Sequence, residues 1–148
     1  WQAAYQISPS IKLRNRIEYI VIKKETWVEG QGTEEESGYL IYQDATYKKM
    51  GDKISLTLRY ALFDTRSFDS RIYAYETDIP GSYSIPSYYY KGSRTCVMLN
   101  YHMSRNIELW LRWSQTYYSN KNVISAGTLM EIQGNTKSEV KAQMSVKF

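Results

Sequence analysis

Cysteine and histidine are almost missing from this chain: Cys96 and His102 are the sole examples among its 148 residues. A lone cysteine excludes an internal disulfide. A lone histidine excludes a His-rich metal site and obliges any histidine-based catalytic triad to pass through His102. Apolar runs near the roughly 18 residues of a membrane helix are absent too, which removes that kind of span but not a membrane strand, where only every second residue meets lipid. Charge blocks are equally scarce. A net charge of +4 would suit contact with an anionic surface, but the 19 basic and 15 acidic residues are interspersed rather than clustered, which gives no support to nucleic-acid binding.

What the chain has in quantity is alternation of period two, the mark of strands with one face of each character. The final segment, Glu139 to Phe148, alternates without a fault: Val140, Ala142, Met144, Val146 and Phe148 on one side, Glu139, Lys141, Gln143, Ser145 and Lys147 on the other. Its length matches the roughly 9 to 11 residues a tilted membrane strand needs. Ile11, Leu13, Ile17, Tyr19 and Val21 alternate with Lys12, Arg14, Arg16 and Glu18, although Asn15 interrupts the apolar side. Tyr39 to Tyr47 sets Ile41 and Ala45 against Tyr42 and Asp44, with Gln43 a second interruption. Ile54, Leu56, Leu58 and Tyr60 alternate with Ser55, Thr57 and Arg59. Val97 to Met103 and Ile107 to Ser114 repeat the pattern around Cys96 and Arg112.

The connections differ in length. Ser8-Pro9-Ser10, Lys48 to Lys53 with Gly51-Asp52, and Ser104-Arg105-Asn106 read as tight turns. Glu29 to Gly38, Asp64 to Ser93 and Ser119 to Lys137 are long. Short turns at one end and long loops at the other are what an outer-membrane barrel places on its periplasmic and outer sides. With Phe148 at the periplasmic end, parity puts Asp64 to Ser93 and Ser119 to Lys137 outside. The expected fold is an all-β, antiparallel up-and-down transmembrane β-barrel, in a single domain covering residues 1–148. Six good strands plus Trp1 to Ile7 make seven. Seven starting in mid-strand predict the C-terminal part of a larger barrel, since bacterial single-chain barrels use even numbers. Counting the weakly alternating Ser67 to Glu76 as a wall strand instead makes eight, a complete small barrel.

Tyrosine, 15 residues against 3 Phe and 4 Trp, suits the aromatic girdles of barrels at membrane interfaces, and suits strands in general. A strand ending on phenylalanine resembles the C-terminal signature of bacterial outer-membrane proteins, read by their β-barrel assembly machinery; Val140, Met144, Val146 and Phe148 would carry that assembly signal. A second resemblance rests on Leu62-Phe63-Asp64-Thr65, Phe68-Asp69-Ser70-Arg71-Ile72-Tyr73-Ala74-Tyr75-Glu76, Ser84-Ile85-Pro86-Ser87-Tyr88-Tyr89 and Trp113-Ser114-Gln115-Thr116-Tyr117-Tyr118. From about Leu13 to Phe148 the chain is similar to the closing β-barrel region of Bacteroidota outer-membrane proteins that often carry N-terminal helix-hairpin-helix repeats. Those repeats are absent here, so no DNA-related role transfers. The resemblance implies a Gram-negative outer membrane, with lipid, lipopolysaccharide and other outer-membrane proteins as surroundings.

Turning the apolar face outward puts Lys12, Arg14, Arg16, Glu18, Asp44, Arg59, Glu108, Arg112, Glu139, Lys141 and Lys147 inside. Such charges either line a weakly anion-favouring, porin-like pore or pair across strands as a plug. Lys12, Arg14 and Arg16 repel one another unless solvated or paired. No nucleophile motif surrounds His102, Asn100 or Ser104, so no catalytic residue is assigned. Cys96 reads as a packing residue. The acidic Glu29 and Glu34-Glu35-Glu36 lack the spacing of an EF-hand and read as a solvated loop, so no metal site and no cofactor is expected. Tyr83, Tyr88, Tyr89 and Tyr90 are expected as surface-loop aromatics, packing the loop or stacking on sugars or a partner. The leading expectation is an outer-membrane barrel, pore or structural wall. A soluble lipocalin-like barrel around a small apolar ligand has the same alternation with inside and outside exchanged, and an outer-membrane enzyme stands third.

Overall fold

The computed structural model describes residues 1–24, 34–125, 127–129 and 131–147. Its elements in chain order are β1 (Gln2–Ser8), β2 (Ile11–Lys24), β3 (Glu34–Lys48), β4 (Ile54–Thr65), β5 (Ile72–Tyr73), β6 (Ser87–Tyr88), β7 (Lys91–His102), β8 (Ile107–Tyr118), β9 (Val123–Ile124), β10 (Ile132–Gln133) and β11 (Thr136–Val146). Seven of these form one sheet in the order β1-β2-β3-β4-β7-β8-β11, every neighbour antiparallel. The fold is all-β, and the sheet runs up and down as its alternation requires. Among the described residues β1 and β11 do not pair with each other, so the sheet stays open.

Wall strands after β1 hold 11 to 15 residues. Several reach further than their alternation suggests, because polar residues extend the pairing. Glu34 and Glu35 stand opposite Lys24 and Lys23, and Glu36 opposite Ile22. Lys23 reaches Glu35 at 3.1 Å and Lys24 reaches Glu36 at 2.8 Å. Opposite charges across a ladder hold it together. The acidic run is therefore the start of a paired strand, not the solvated loop the sequence suggests; Glu29 lies outside the described residues.

Tight turns cluster at one end of the sheet and long connections at the other. Gly51, with φ of +85° and open space around it, takes the left-handed position in the β3–β4 turn. Gly92 serves close approach instead. A Cβ there would stand 2.0 Å from the Tyr117 carbonyl oxygen and 2.9 Å from the Phe63 ring.

The largest departure from expectation is the connection 66–90. Of Ser67 to Glu76 only Ile72–Tyr73 is extended, and it pairs with Ser87–Tyr88 and not with the wall. An isolated bridge joins Glu76 to Ser84 below that pair, and Asp78 closes the tip by accepting from the Ile79 N–H and the Ser82 hydroxyl. The segment is a hairpin laid back along one face of the sheet. Its Ile72, Ala74 and Tyr88 pack with Leu40, Tyr42, Ala61, Phe63 and Tyr118 in the buried core. Phe63 sits edge-on to Tyr88 at 5.5 Å and to Tyr118 at 5.9 Å. Connection 66–90 thus leaves the end of the sheet that bears the long connections and folds back over one face, where its apolar residues find partners.

Candidate functional site on the covered face

Register fixes what the hairpin meets. Across the covered face Arg14, Asp44, Arg59, Cys96, Ser114 and Glu139 stand in one row, each opposite the next. Arg94 lies one position toward the long connections and Arg112 one position toward the turns, on the same face. A row with this many guanidinium groups cannot be buried unless each finds a counter-charge.

Asp44 supplies the first. It accepts from Arg14 Nε at 2.8 Å and from Arg59 Nε and Nη2 at 2.6 and 2.8 Å. Arg59 also lies 3.9 Å over the Tyr42 ring, and its Nη1 donates to the Tyr75 carbonyl of the hairpin at 2.6 Å. Glu76 supplies the second. Only 1% exposed, it accepts from Arg94 Nε and Nη2 at 3.0 and 2.7 Å and from Arg112 Nη2. Arg94 completes its set on Thr116 and Ser114, and Arg112 donates to the Thr77 carbonyl and the Ser84 hydroxyl. Arg112 Nη1 is buried without a hydrogen-bond partner among the described residues, 3.6 Å from Glu139.

Asp78 supplies the third, taking Lys141 Nζ at 2.7 Å. Burial pushes against its charge, but the bonds from Lys141, the Ile79 N–H and Ser82 outweigh it and hold the carboxyl below its ordinary range. Burial pushes the Tyr88 phenol up to about 12. The Glu76 and Asp78 pairs, with the Arg59 bond to the Tyr75 carbonyl, join hairpin to sheet and act as fasteners, while Asp44 pairs with Arg14 and Arg59 within the sheet itself.

Of the charged residues assigned to the interior, Lys12, Arg14, Arg16, Glu18, Asp44, Arg59, Glu108, Arg112, Glu139 and Lys141 share the face on which the hairpin lies, and Lys147 follows the end of β11. Of the basic trio, Arg14 pairs with Asp44 and Arg16 with Glu18, while Lys12 is exposed near the turns. Val140, Met144 and Val146 are exposed on the opposite face, and Phe148 lies outside the described residues. The four loop tyrosines do not form one surface group. Tyr88 is buried at 1% exposure because its ring fills the space beside Phe63, Tyr83 is 84% exposed, and Tyr89 and Tyr90 are half-buried.

No family model matches the chain, and no curated protein or solved structure shows significant similarity to it. Chemistry must be judged from the site itself. His102 Nδ1 lies 2.9 Å from Glu108, while the Ser104 hydroxyl accepts from the Asn106 N–H, so histidine and serine serve separate contacts. Among the described residues no cluster of His, Cys, Asp or Glu has the arrangement of a metal site. Cys96 is buried at 3% exposure.

Sequence reasoning missed Glu76, Asp78 and Arg94. Arg94 was within reach: continuing the alternation of β7 back from Cys96 places it on the charged face. Glu76 and Asp78 sit in a segment with no periodicity, and the one signal for them is the surplus of arginine on the wall, which demands carboxylates from elsewhere.

Proposed function

We propose that the chain forms part of the wall of a bacterial outer-membrane β-barrel, with the hairpin 66–90 inside as a built-in plug. The observation that carries this reading is inverted sidedness. Arg112, Arg59, Asp44 and Glu76 are between 0% and 3% exposed, while Tyr19, Val140 and Met144 stand above 60% on the other face, with Ile41, Leu58, Leu62 and Leu111 exposed beside them. Water favours the reverse arrangement by roughly 25 cal/mol for each Å² of apolar surface, and a contiguous apolar face this broad needs another medium or a partner. Lipid answers that need, and strands of 11 to 15 residues are long enough to cross it. The sequence resemblance to the closing region of Bacteroidota outer-membrane proteins, carried by segments such as Trp113 to Tyr118, implies the same placement.

A soluble barrel around an apolar ligand needs its apolar side chains turned inward, and here the hairpin occupies the charged side. The same hairpin favours a sealed structural wall over an open pore. In lipid an open edge leaves backbone groups without partners, so β1 and β11 must be completed by further strands. Insertion then depends on the exposed edge of β11 and on Phe148, the features an assembly machinery would engage.

Fractionation tests the reading. Expressed with a signal peptide in a Gram-negative host, the protein is expected in the outer membrane and to require detergent for release; recovery in the soluble periplasm would overturn the proposal. Phe148→Ala is expected to slow insertion, and an unchanged yield of heat-modifiable protein would remove that residue's role. In planar bilayers the intact protein is expected to stay closed, with conductance appearing once Glu76→Leu or Asp78→Leu frees the hairpin.

A further inference from the structure

We propose that the cavity between connections 66–90 and 119–135 binds a small amphipathic anion, an apolar ring-bearing body with one carboxylate, sulfonate or phosphate. The cavity measures about 670 Å³ and opens at the end of the sheet that bears the long connections. That volume falls within the range of about 300 to 1,000 Å³ typical of small-molecule sites. Its walls are Phe68, Tyr89, Tyr118, Val123, Ile124 and Leu129. Tyr89 anchors them, with its ring 5.1 Å from Phe68, 5.3 Å from Tyr90 and 5.4 Å from Tyr118. Rings held by one another this way present a preformed apolar surface, so a ligand need not order them on arrival.

Charge decides the class of ligand. Lys121 lines the cavity with its Nζ held 3.9 Å from the centroid of the Tyr90 ring. Among the described residues it makes no ion pair with a carboxylate. Glu131, the acidic residue of the same connection, is turned to the Gly127 N–H at 2.7 Å and to Gln133 at 2.5 Å. The cavity therefore holds an ammonium with room beside it for an anion and no fixed acid to neutralise it. A neutral ligand would use the rings alone. An anion on an apolar body uses both.

The backbone adds a second observation. Tyr90, at φ of 59°, and Ser125, at φ of 55°, are the two non-glycine residues in the left-handed region among those described, and both line this cavity. Such a conformation is disfavoured for a non-glycine residue and persists where surrounding contacts impose it. Tyr90 is imposed by Thr65, whose backbone N–H donates to its carbonyl and whose hydroxyl accepts from its N–H, both at 2.8 Å. Ser125 is imposed by Thr128, which donates to its carbonyl through both N–H and hydroxyl. Tyr90, held in this way at its backbone, carries the ring over which the Lys121 ammonium lies.

Calorimetric titration of the folded, detergent-solubilised protein tests this with two probes, 1-naphthoate and the neutral 1-naphthalenecarboxamide. Naphthoate is expected to bind at least about tenfold more tightly, the effect of one charge-assisted contact, and to weaken in high salt while the carboxamide does not. Lys121→Gln should erase the preference and leave carboxamide binding unchanged. Tyr89→Leu should weaken both probes. Far-UV circular dichroism of each variant, with its unfolding midpoint, establishes that it is folded. No naphthoate binding at millimolar concentration, or a preference that survives Lys121→Gln, overturns the proposal. Neither outcome depends on whether the sheet crosses a membrane.

Discussion

On the covered face of the sheet, charged side chains are buried and apolar ones are few beyond the Leu40–Phe63 cluster; on the open face, apolar side chains are exposed and charges are rare. The two faces are made of the same strands, so propensity cannot account for the difference. Each face matches what lies against it. The hairpin brings carboxylates to the arginines, and the open face matches a medium that neither donates nor accepts hydrogen bonds. Substitutions that exchange the character of the two faces break this comparison most directly.

The largest effect is expected at Glu76. Glu76→Leu leaves Arg94 and Arg112 buried without their shared counter-charge, and breaking a buried pair from one side costs about 3–5 kcal/mol. Urea titration in detergent, followed by heat-modifiability, is expected to show that loss, with Glu76→Gln intermediate because the amide oxygen still accepts. A loss within about 0.5 kcal/mol, the range of ordinary surface substitutions, would mean that the ion pairs do not fasten the hairpin.

Next comes the opposite exchange. Leu62→Arg places a charge on the open face, where Leu62 pairs across the sheet with Ile41 and Ser93. In a bilayer the cost is about 2–4 kcal/mol near the midplane, whereas on a water-exposed surface it stays within about 0.5 kcal/mol. Folding into lipid vesicles across a urea series separates the two. A small cost would remove lipid from the open face while leaving the sheet intact.

Acid gives a smaller effect. Because the Asp78 carboxyl is held below its ordinary range, its bond to Lys141 adds stability that is fully present above the unfolded carboxylate value, about 3.9, and is lost as pH falls through the folded value. Stability should therefore be level from neutral pH to about 5 with respect to this group. The decline below about 4 should be shallower in Asp78→Asn, as read by unfolding midpoints against pH. An equally steep decline in the variant would assign acid sensitivity to other carboxylates.

The wall was legible from the sequence because period two reports which residues share a face whatever lies on either side. Val140, Met144 and Leu111 could be grouped apart from Arg112, Glu139 and Lys141 without knowing the fold. The hairpin was not legible, since Glu76, Asp78 and Tyr88 owe their places to partners on β3, β7, β8 and β11 that are remote in sequence. Tyr88 illustrates the limit: four tyrosines close in sequence look alike, and only packing against Phe63 buries one of them. Strand ends were misjudged where ion pairs extend a ladder, as at Glu34 and Glu35.

Asn15 and Gln43, which interrupt the apolar alternation of two different strands, prove to be one feature. They stand opposite each other, and Gln43 Nε2 donates to Asn15 Oδ1 at 2.9 Å. The row continues through Tyr60, Thr95, Gln115 and Ser138, where Gln115 donates to Ser138 at 3.0 Å. A polar rung across an apolar face is tolerable in lipid when its members satisfy one another sideways, because no water is present to do so. A double-mutant cycle on Asn15→Leu and Gln43→Leu measures that dependence. In bilayers the coupling is expected at about 0.6 kcal/mol, the average for polar side-chain pairs in membrane proteins. The double variant should then be as stable as the parent or slightly more so, since both partners leave together. Were the open face wet, solvent would replace either lost partner, and the coupling would fall to zero.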